Sequence, residues 1–254
     1  MRISAVGVSH GHAAEVARLL SALVDQVDEV VVVANVAGSL PETLPGGVRV
    51  LENGRALPLA ANVNLGVAAT SGRYILNATP DTLPHAGAVA ALVDVLDLEP
   101  RAGIAGPRMI WPDGTAQPSR RRFPTVGGTL VRRTPLRHVR GVYAQRSHYE
   151  LDDEPTSAVR CDWMLGAFLL QRRETLEELG GWDAGYRHYV EDIDLQYRAM
   201  RAGWERWYVP TAVVEHEYAA VIDKRWLSRH TIWHARGMAR FARRHPGALL
   251  TRRG

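Results

Sequence analysis

Cysteine is nearly missing from this chain: Cys161 is the single one among 254 residues. An internal disulfide is thereby excluded, and such usage fits a reducing compartment. No apolar run approaches the roughly 18 residues that a membrane-spanning helix needs. The stretch from Ala86 to Val93 is soon cut by Asp94. The opening residues, MRISAVGVSHGH, lack the apolar core and small-residue cleavage site of a secretory signal. There is no G-x-G-x-x-G after the first apolar run and no G-x-x-x-x-G-K-S/T anywhere. That argues against a dinucleotide dehydrogenase and against a P-loop enzyme. Internal repeats and low-complexity linkers are absent too. What remains is the expectation of a soluble, cytoplasmic protein with one large domain, or a domain with an appendage.

Acid is missing locally. The formal charge is a modest +4, yet between Asp113 and Glu150 there is no carboxylate, while Arg120, Arg121, Arg122, Arg132, Arg133, Arg137, Arg140 and Arg146 all fall there. The tail repeats the pattern, with Lys224, Arg225, Arg229, Arg236, Arg240, Arg243, Arg244, Arg252 and Arg253 against Asp223 alone. Such clusters suit phosphate groups, and equally a solvated basic face. Aromatic residues are not interleaved there as stacking platforms require, so nucleic acid is not the expected partner. Trp226 and Trp233 in the basic tail fit an anionic membrane surface, a peripheral place at the inner face of the plasma membrane. They fit packing against the domain equally well.

Short apolar runs at Ile3–Val8, Val30–Ala34, Val48–Leu51 and Arg73–Leu76 alternate with helical patterns at Ala13–Val24, Leu59–Ala69 and Ala86–Leu98. The alternation predicts an α/β fold with a largely parallel sheet. Gly103–Met109 continues the strand series, Asp162–Gln171 reads as one buried strand, and Trp207–Val209 and Val213–His216 as two more. The basic segment from Arg120 to Arg146 has little periodicity and is expected to be a long loop or flap. Trp226–Phe241 reads as a final helix.

In open α/β sheets ligands bind beyond the carboxyl ends of the strands. By that rule Ser9 and His10, Asn35, and Thr79 with Asp81 become candidates. Asp81 and His216 could give one oxygen and one nitrogen to a divalent cation, with diphosphate oxygens completing the set. Leu179–Trp204 (LGGWDAGYRHYVEDIDLQYRAMRAGW) combines a glycine turn, three acids opening a helix and the aromatics Trp182, Tyr186 and Tyr189. Acids at a helix start are ordinary caps; apolar ring faces beside fixed polar groups suit a sugar-like ligand.

The ordered set Asn62-x-Asn64-x-Gly66, Thr79-Pro80-Asp81-Thr82, Gly166-Ala167, Gly180-Gly181-Trp182-Asp183, Glu191-Asp192-Ile193-Asp194-Leu195, Arg198, Ala202-Gly203-Trp204 and His216 resembles the family 2 glycosyltransferases. The stretch Arg120 to Thr125 is similar to their rhamnosyltransferase-like branch. The resemblance implies a GT-A fold, a Rossmann-like mixed sheet flanked by helices, with a C-terminal helical extension. It divides the chain into a transferase domain over 1–220 (1–110 for the nucleotide-sugar, 111–160 a basic flap, 161–220 for acceptor and catalysis) and a basic helix and tail over 221–254.

It further implies inverting transfer from a dTDP-, UDP- or GDP-linked sugar, rhamnose being favoured, to a glycan, lipid-linked or small-molecule hydroxyl. Asp192 corresponds to the general base, kept ionised by the helix start, with Glu191 beside it; Glu191 and Asp194 would orient the turn and cap the helix. Asp81 and His216 correspond to ligands of Mg2+ or Mn2+. Ser9, Asn35, Asn62, Gly66, Thr79 and Asp81 fall to the donor, Trp163, Gly166, Trp182 and Asp183 to the acceptor, and Arg120, Arg121 and Arg122 to the diphosphate. The chain departs from the family at Ala34-Asn35, where an Asp is usual after the second strand, at Thr79, which replaces an acid or amide, and near His10-Gly11. Those departures leave open a catalytically silent GT-A partner or binding subunit.

Overall fold

The computed structural model describes residues 3–125, 153–217 and 229–248. Four parallel strands form one half of the main sheet: β1 (Ile3–Ser9), β2 (Glu29–Ala34), β3 (Val48–Glu52) and β4 (Tyr74–Ala78), in the order β3-β2-β1-β4. β5 (Thr82–Pro84) and β6 (Ala102–Ile110) follow, with short strands β7 (Ala116–Gln117), β8 (Arg120–Arg121), β9 (Val159–Arg160) and β10 (Trp163–Met164). β11 (Phe168–Arg172) runs antiparallel between β4 and β6, and β12 (Glu205–His216) lies parallel to β6 and antiparallel to β5. The sheet is therefore mixed, as expected.

Burial on both faces explains the β-branched strands. Alternate side chains of a strand point to opposite faces. Ala5, Val32 and Leu76 join one core with α1 (Ala13–Leu23) and α3 (Ala88–Leu98). Val6, Val33 and Ile75 join the other with α2 (Leu59–Ala68), α4 (Arg173–Leu179) and α5 (Glu191–Arg201). A β-carbon at Gly66 would lie 2.3 Å from Val6 Cγ1, so glycine there lets α2 sit directly on β1.

Three expectations change. Asp162–Gln171 is not one strand: it breaks at Leu165–Ala167 into β10, which pairs with β8 in a separate ribbon, and β11 in the main sheet. The break places the Gly166 amide beside Asp192. Conversely, the two strands foreseen after Trp204 are one, β12, whose irregularity between Val209 and Val213 carries it past Pro210. Arg120 and Arg121 belong to β8 rather than to a flap; residues 126–146 of that expected flap lie outside the described residues. The final helix, α6, is described over Arg229–Arg244; Trp226 lies outside.

Candidate active site

Asp192 sits in the first turn of α5, half-buried. Its Oδ2 accepts the Gly166 amide at 3.0 Å and its Oδ1 the Ile193 amide at 2.9 Å. Gly166 is fixed in turn by Asn77, whose Nδ2 donates to its carbonyl at 2.6 Å. Burial raises the Asp192 pKa against the opposing pull of those two amides and the Arg121 charge. Desolvation thus opposes the charge expected at this helix start, and the two amide donors support it. Glu191 is deeper still, 5% exposed, with Oε2 lacking a hydrogen-bond partner. Burial and then the Asp192 charge push its pKa up. Of two adjacent buried carboxyls only one ionises readily, and the deeper Glu191, with one oxygen unpartnered, is the one pushed up, which favours the negative charge on Asp192.

The backbone just before this pair is unusual. Tyr189 and Val190 both have positive φ, 70° and 76°, a conformation that costs a β-branched residue about 1–3 kcal/mol. Neither Glu191 nor Asp194 caps the helix: Val190 is the N-cap and no side chain bonds there. Asp194 is instead a fully buried hub. It accepts Arg198 Nε at 2.7 Å and Tyr186 Oη at 3.0 Å, with His245 Nε2 at 2.8 Å. Arg198 carries the connection on to the Leu179 and Gly181 carbonyls.

At the carboxyl end of the sheet, Asp81 Oδ2 lies 3.4 Å from His216 Nε2. The pairing of Thr82 with His216 across β5 and β12 brings Asp81 and His216 together from 135 positions apart in sequence. Burial works against the Asp81 charge, but His216 and Thr79 outweigh it and its pKa falls. Thr79 Oγ1 donates to Asp81 Oδ1 at 2.5 Å, so the residue that departs from the family pattern orients the carboxylate. His216 Nδ1 lies 2.7 Å from Gln117 Oε1. Gln117 thus holds the Nδ1 side of the ring, and Nε2 faces Asp81. That is the second-partner arrangement of metal-bound histidines. Among the described residues no group of three or more His, Cys, Asp or Glu side chains could hold a metal ion. A cation at Asp81 and His216 would thus need further oxygens from its ligand, and one carboxylate with one imidazole is a donor set that Mg2+ or Mn2+ accepts.

The remaining candidates divide. Ser9 is fully buried, its Oγ donating to the Ser39 carbonyl. Asn35 and Asn62 are buried in one amide network: Asn53 donates to both, and both donate to the Leu57 carbonyl. These three side chains shape the loops at the strand ends. Asn35 also donates to His10 Nδ1 at 3.0 Å.

Trp182, assigned to the acceptor, is 2% exposed, with its indole on Gln171 and its backbone clasped by Asn64. Asp183 is taken by Arg240, both contacts at 3.0 Å, and by Arg244 at 3.3 Å. Both are corrections: a buried indole and a carboxylate held by two guanidinium groups have little surface for a sugar. Trp163 is 3% exposed, donating to the Arg122 carbonyl with Arg121 over its ring. Arg120 is buried, paired with Asp153 and lying over the Tyr208 ring. Arg121 is half-buried, and its charge reaches Asp192.

Sequence reasoning passed over Asn77, Gln117 and His188. The first two act through contacts 89 and 99 residues away in the chain, which no local pattern announces. His188, half-buried, has its pKa lowered to about 4 by burial and then by His230 and His10, with Asp81 opposing. It is a neutral imidazole at physiological pH. Cys161 is no nucleophile: burial pushes its thiol up to about 12.

The model of "Glycosyltransferase like family 2" matches residues 6–233. The N-acetylglucosaminyl-diphospho-decaprenol L-rhamnosyltransferase of Mycobacterium tuberculosis (strain CDC 1551 / Oshkosh) is 31% identical over 231 residues, covering 83% of this chain and 74% of that protein. Among solved structures, GalNAc-T7 with UDP, GalNAc and Mn2+ superposes with a TM-score of 0.63 at 18% identity, over 86% of this chain and 44% of that one. The mannosyltransferase PcManGT from Pyrobaculum calidifontis, with GDP-Man and Mn2+, gives a TM-score of 0.57 at 16% identity, over 87% and 58%. Those two likenesses speak for the fold. With the family match and the rhamnosyltransferase relative beside them, the chain belongs to the family 2 glycosyltransferases, with a GT-A fold.

Proposed function

We propose that the chain transfers rhamnose, with inversion, from a dTDP-linked donor to a hydroxyl of a lipid-linked glycan. The observation that carries this reading is the Asp192 carboxylate, desolvated yet held by the Gly166 and Ile193 amides. Its raised pKa makes it a stronger base toward an acceptor hydroxyl. Asp192 takes the hydroxyl proton while the oxygen bonds to the anomeric carbon from the face opposite the leaving group. The bond from that carbon to the diphosphate oxygen breaks, and the nucleoside diphosphate departs with the electron pair. Asp81 and His216 would hold a divalent cation, which when bound offsets charge on the diphosphate. Arg121, within electrostatic reach of Asp192, suits the same charge. Rhamnose and a diphospho-polyprenol acceptor are supported by the name of the Mycobacterium tuberculosis relative.

The test is turnover with a panel of nucleotide sugars and a short-chain diphospho-lipid acceptor. Asp192→Asn is expected to lower kcat by about 10²–10⁴, with donor binding by calorimetry retained. Unchanged turnover would remove Asp192 as the base. If neither dTDP nor UDP nor GDP binds with Mg2+ or Mn2+, the silent-partner reading replaces transfer.

A further inference from the structure

The helix α6 has two faces with different employment. Its inner face grips the catalytic block. His230 Nδ1 meets Tyr189 Oη at 3.2 Å, and a β-carbon at Gly237 would lie 3.0 Å from the Tyr189 carbonyl and from Val190 Cγ2. Arg240 clamps Asp183, Phe241 packs edge-on to Tyr197 at 5.4 Å, and His245 reaches Asp194. Small size at Gly237 is what lets the helix brace the strained Tyr189–Val190 pair.

The outer face is exposed at Arg229, Ile232, Ala235, Arg236, Ala239 and Arg243. Ile232, at 54% exposure, is one of the few large apolar side chains left open among the described residues. Between residues 229 and 248 there are five arginines and no acid; Arg240 and Arg244 are spent on Asp183. Arg187 and Arg229 lie over the half-buried Trp233 ring at 4.8 and 5.4 Å, adding cationic charge at the same end.

An arginine–alanine–isoleucine face without acid repels a basic occupant and offers no stacking platform for bases. Its chemistry matches a helix lying in the plane of an anionic bilayer, guanidinium groups on headgroup phosphates and an apolar side chain at the acyl boundary.

We infer that the outer face of α6 docks on an anionic lipid surface, and that the helix thereby holds the Asp183–Tyr197 block, with Asp192, against the membrane. The value of that placement rests on the lipid-linked acceptor proposed above, whereas the binding itself does not. It can therefore be measured without any sugar donor.

The experiment is co-sedimentation of the full chain with vesicles of phosphatidylcholine alone or mixed with phosphatidylglycerol. The wild-type chain is expected to pellet with the anionic vesicles only, and less as salt rises. Each arginine near an anionic surface is worth about fivefold in partitioning, so Arg229→Gln, Arg236→Gln and Arg243→Gln together should cost about a hundredfold. Ile232→Ser should cost about tenfold. Circular dichroism and Tm of these surface variants should match the wild type. Equal pelleting of wild type and triple variant overturns the assignment, as does equal binding to both vesicle types. Self-association in ultracentrifugation that the same variant abolishes, without vesicle binding, assigns the face to a second copy instead. Loss of sugar transfer with vesicle binding intact would refute the proposed reaction and leave the membrane contact standing.

Discussion

A methyl group added at Gly166 would sit 2.7 Å from Asp192 Cβ. Neither atom is the end of a flexible side chain, so Gly166→Ala must shift the start of α5 or the turn that carries the Gly166 amide. Overpacking of this kind costs about 1–3 kcal/mol. The expected outcome is a modest fall in Tm, a kcat at least tenfold lower because the carboxylate leaves its place, and donor affinity near that of the wild type. Steady-state kinetics beside calorimetry would separate these, and an unchanged kcat would show that the amide contact does not position the base. Gly166 was legible in the sequence as a motif residue. Its partner was not, because a backbone amide that reaches a carboxylate 26 residues on leaves no side-chain signature.

At the scale of elements, α6 is tied to the turn before α5 by Asp183. Burial disfavours the charge of this carboxylate, but Arg240, the Gly185 amide and Arg244 outweigh it, and its pKa lies below the ordinary value. A depressed carboxylate stabilises the fold above its unfolded pKa, about 3.9, and loses that contribution as pH falls through the folded value. The protection of α6 amides, taken relative to intrinsic exchange at each pH, is therefore expected to hold at neutral pH and to fall below about pH 4. The Asp183→Asn chain should exchange faster already at pH 7 and show a smaller acid step; identical profiles would mean that the clamp contributes nothing. The sequence presented Asp183 as a ligand residue because Trp-Asp after two glycines matches a family turn. Only the docking of α6, 57 residues later, reveals what the carboxylate holds.

On the scale of the whole molecule, α2 in the N-terminal half and the turn before α5 in the C-terminal half are stitched by Asn64. Its Nδ2 donates to the Trp182 carbonyl at 2.7 Å and its Oδ1 accepts the Trp182 amide at 2.9 Å, across 118 residues. Asn64→Ala leaves two backbone groups unpaired beside a buried indole and should cost about 2 kcal/mol. Urea unfolding should remain a single transition with a lower midpoint. Two separated transitions would show that the halves unfold independently.

The sequence by itself determined the α/β order, the four parallel strands β1 to β4, the family and the place of Asp192 at a helix start. Each of these rests on local periodicity or on motifs contiguous in the chain. Tertiary structure decided the rest. It brought Asp81 within 3.4 Å of His216, turned Trp182 and Asp183 from ligand surface into core and clamp, and divided Asp162–Gln171 between two sheets. Above all it changed what holds the charge on Asp192: the Gly166 and Ile193 amides against desolvation, rather than the helix start alone. A helix start can be read from sequence, but the pKa there follows burial, and burial depends on what Gly166 and its neighbours bring from elsewhere in the chain.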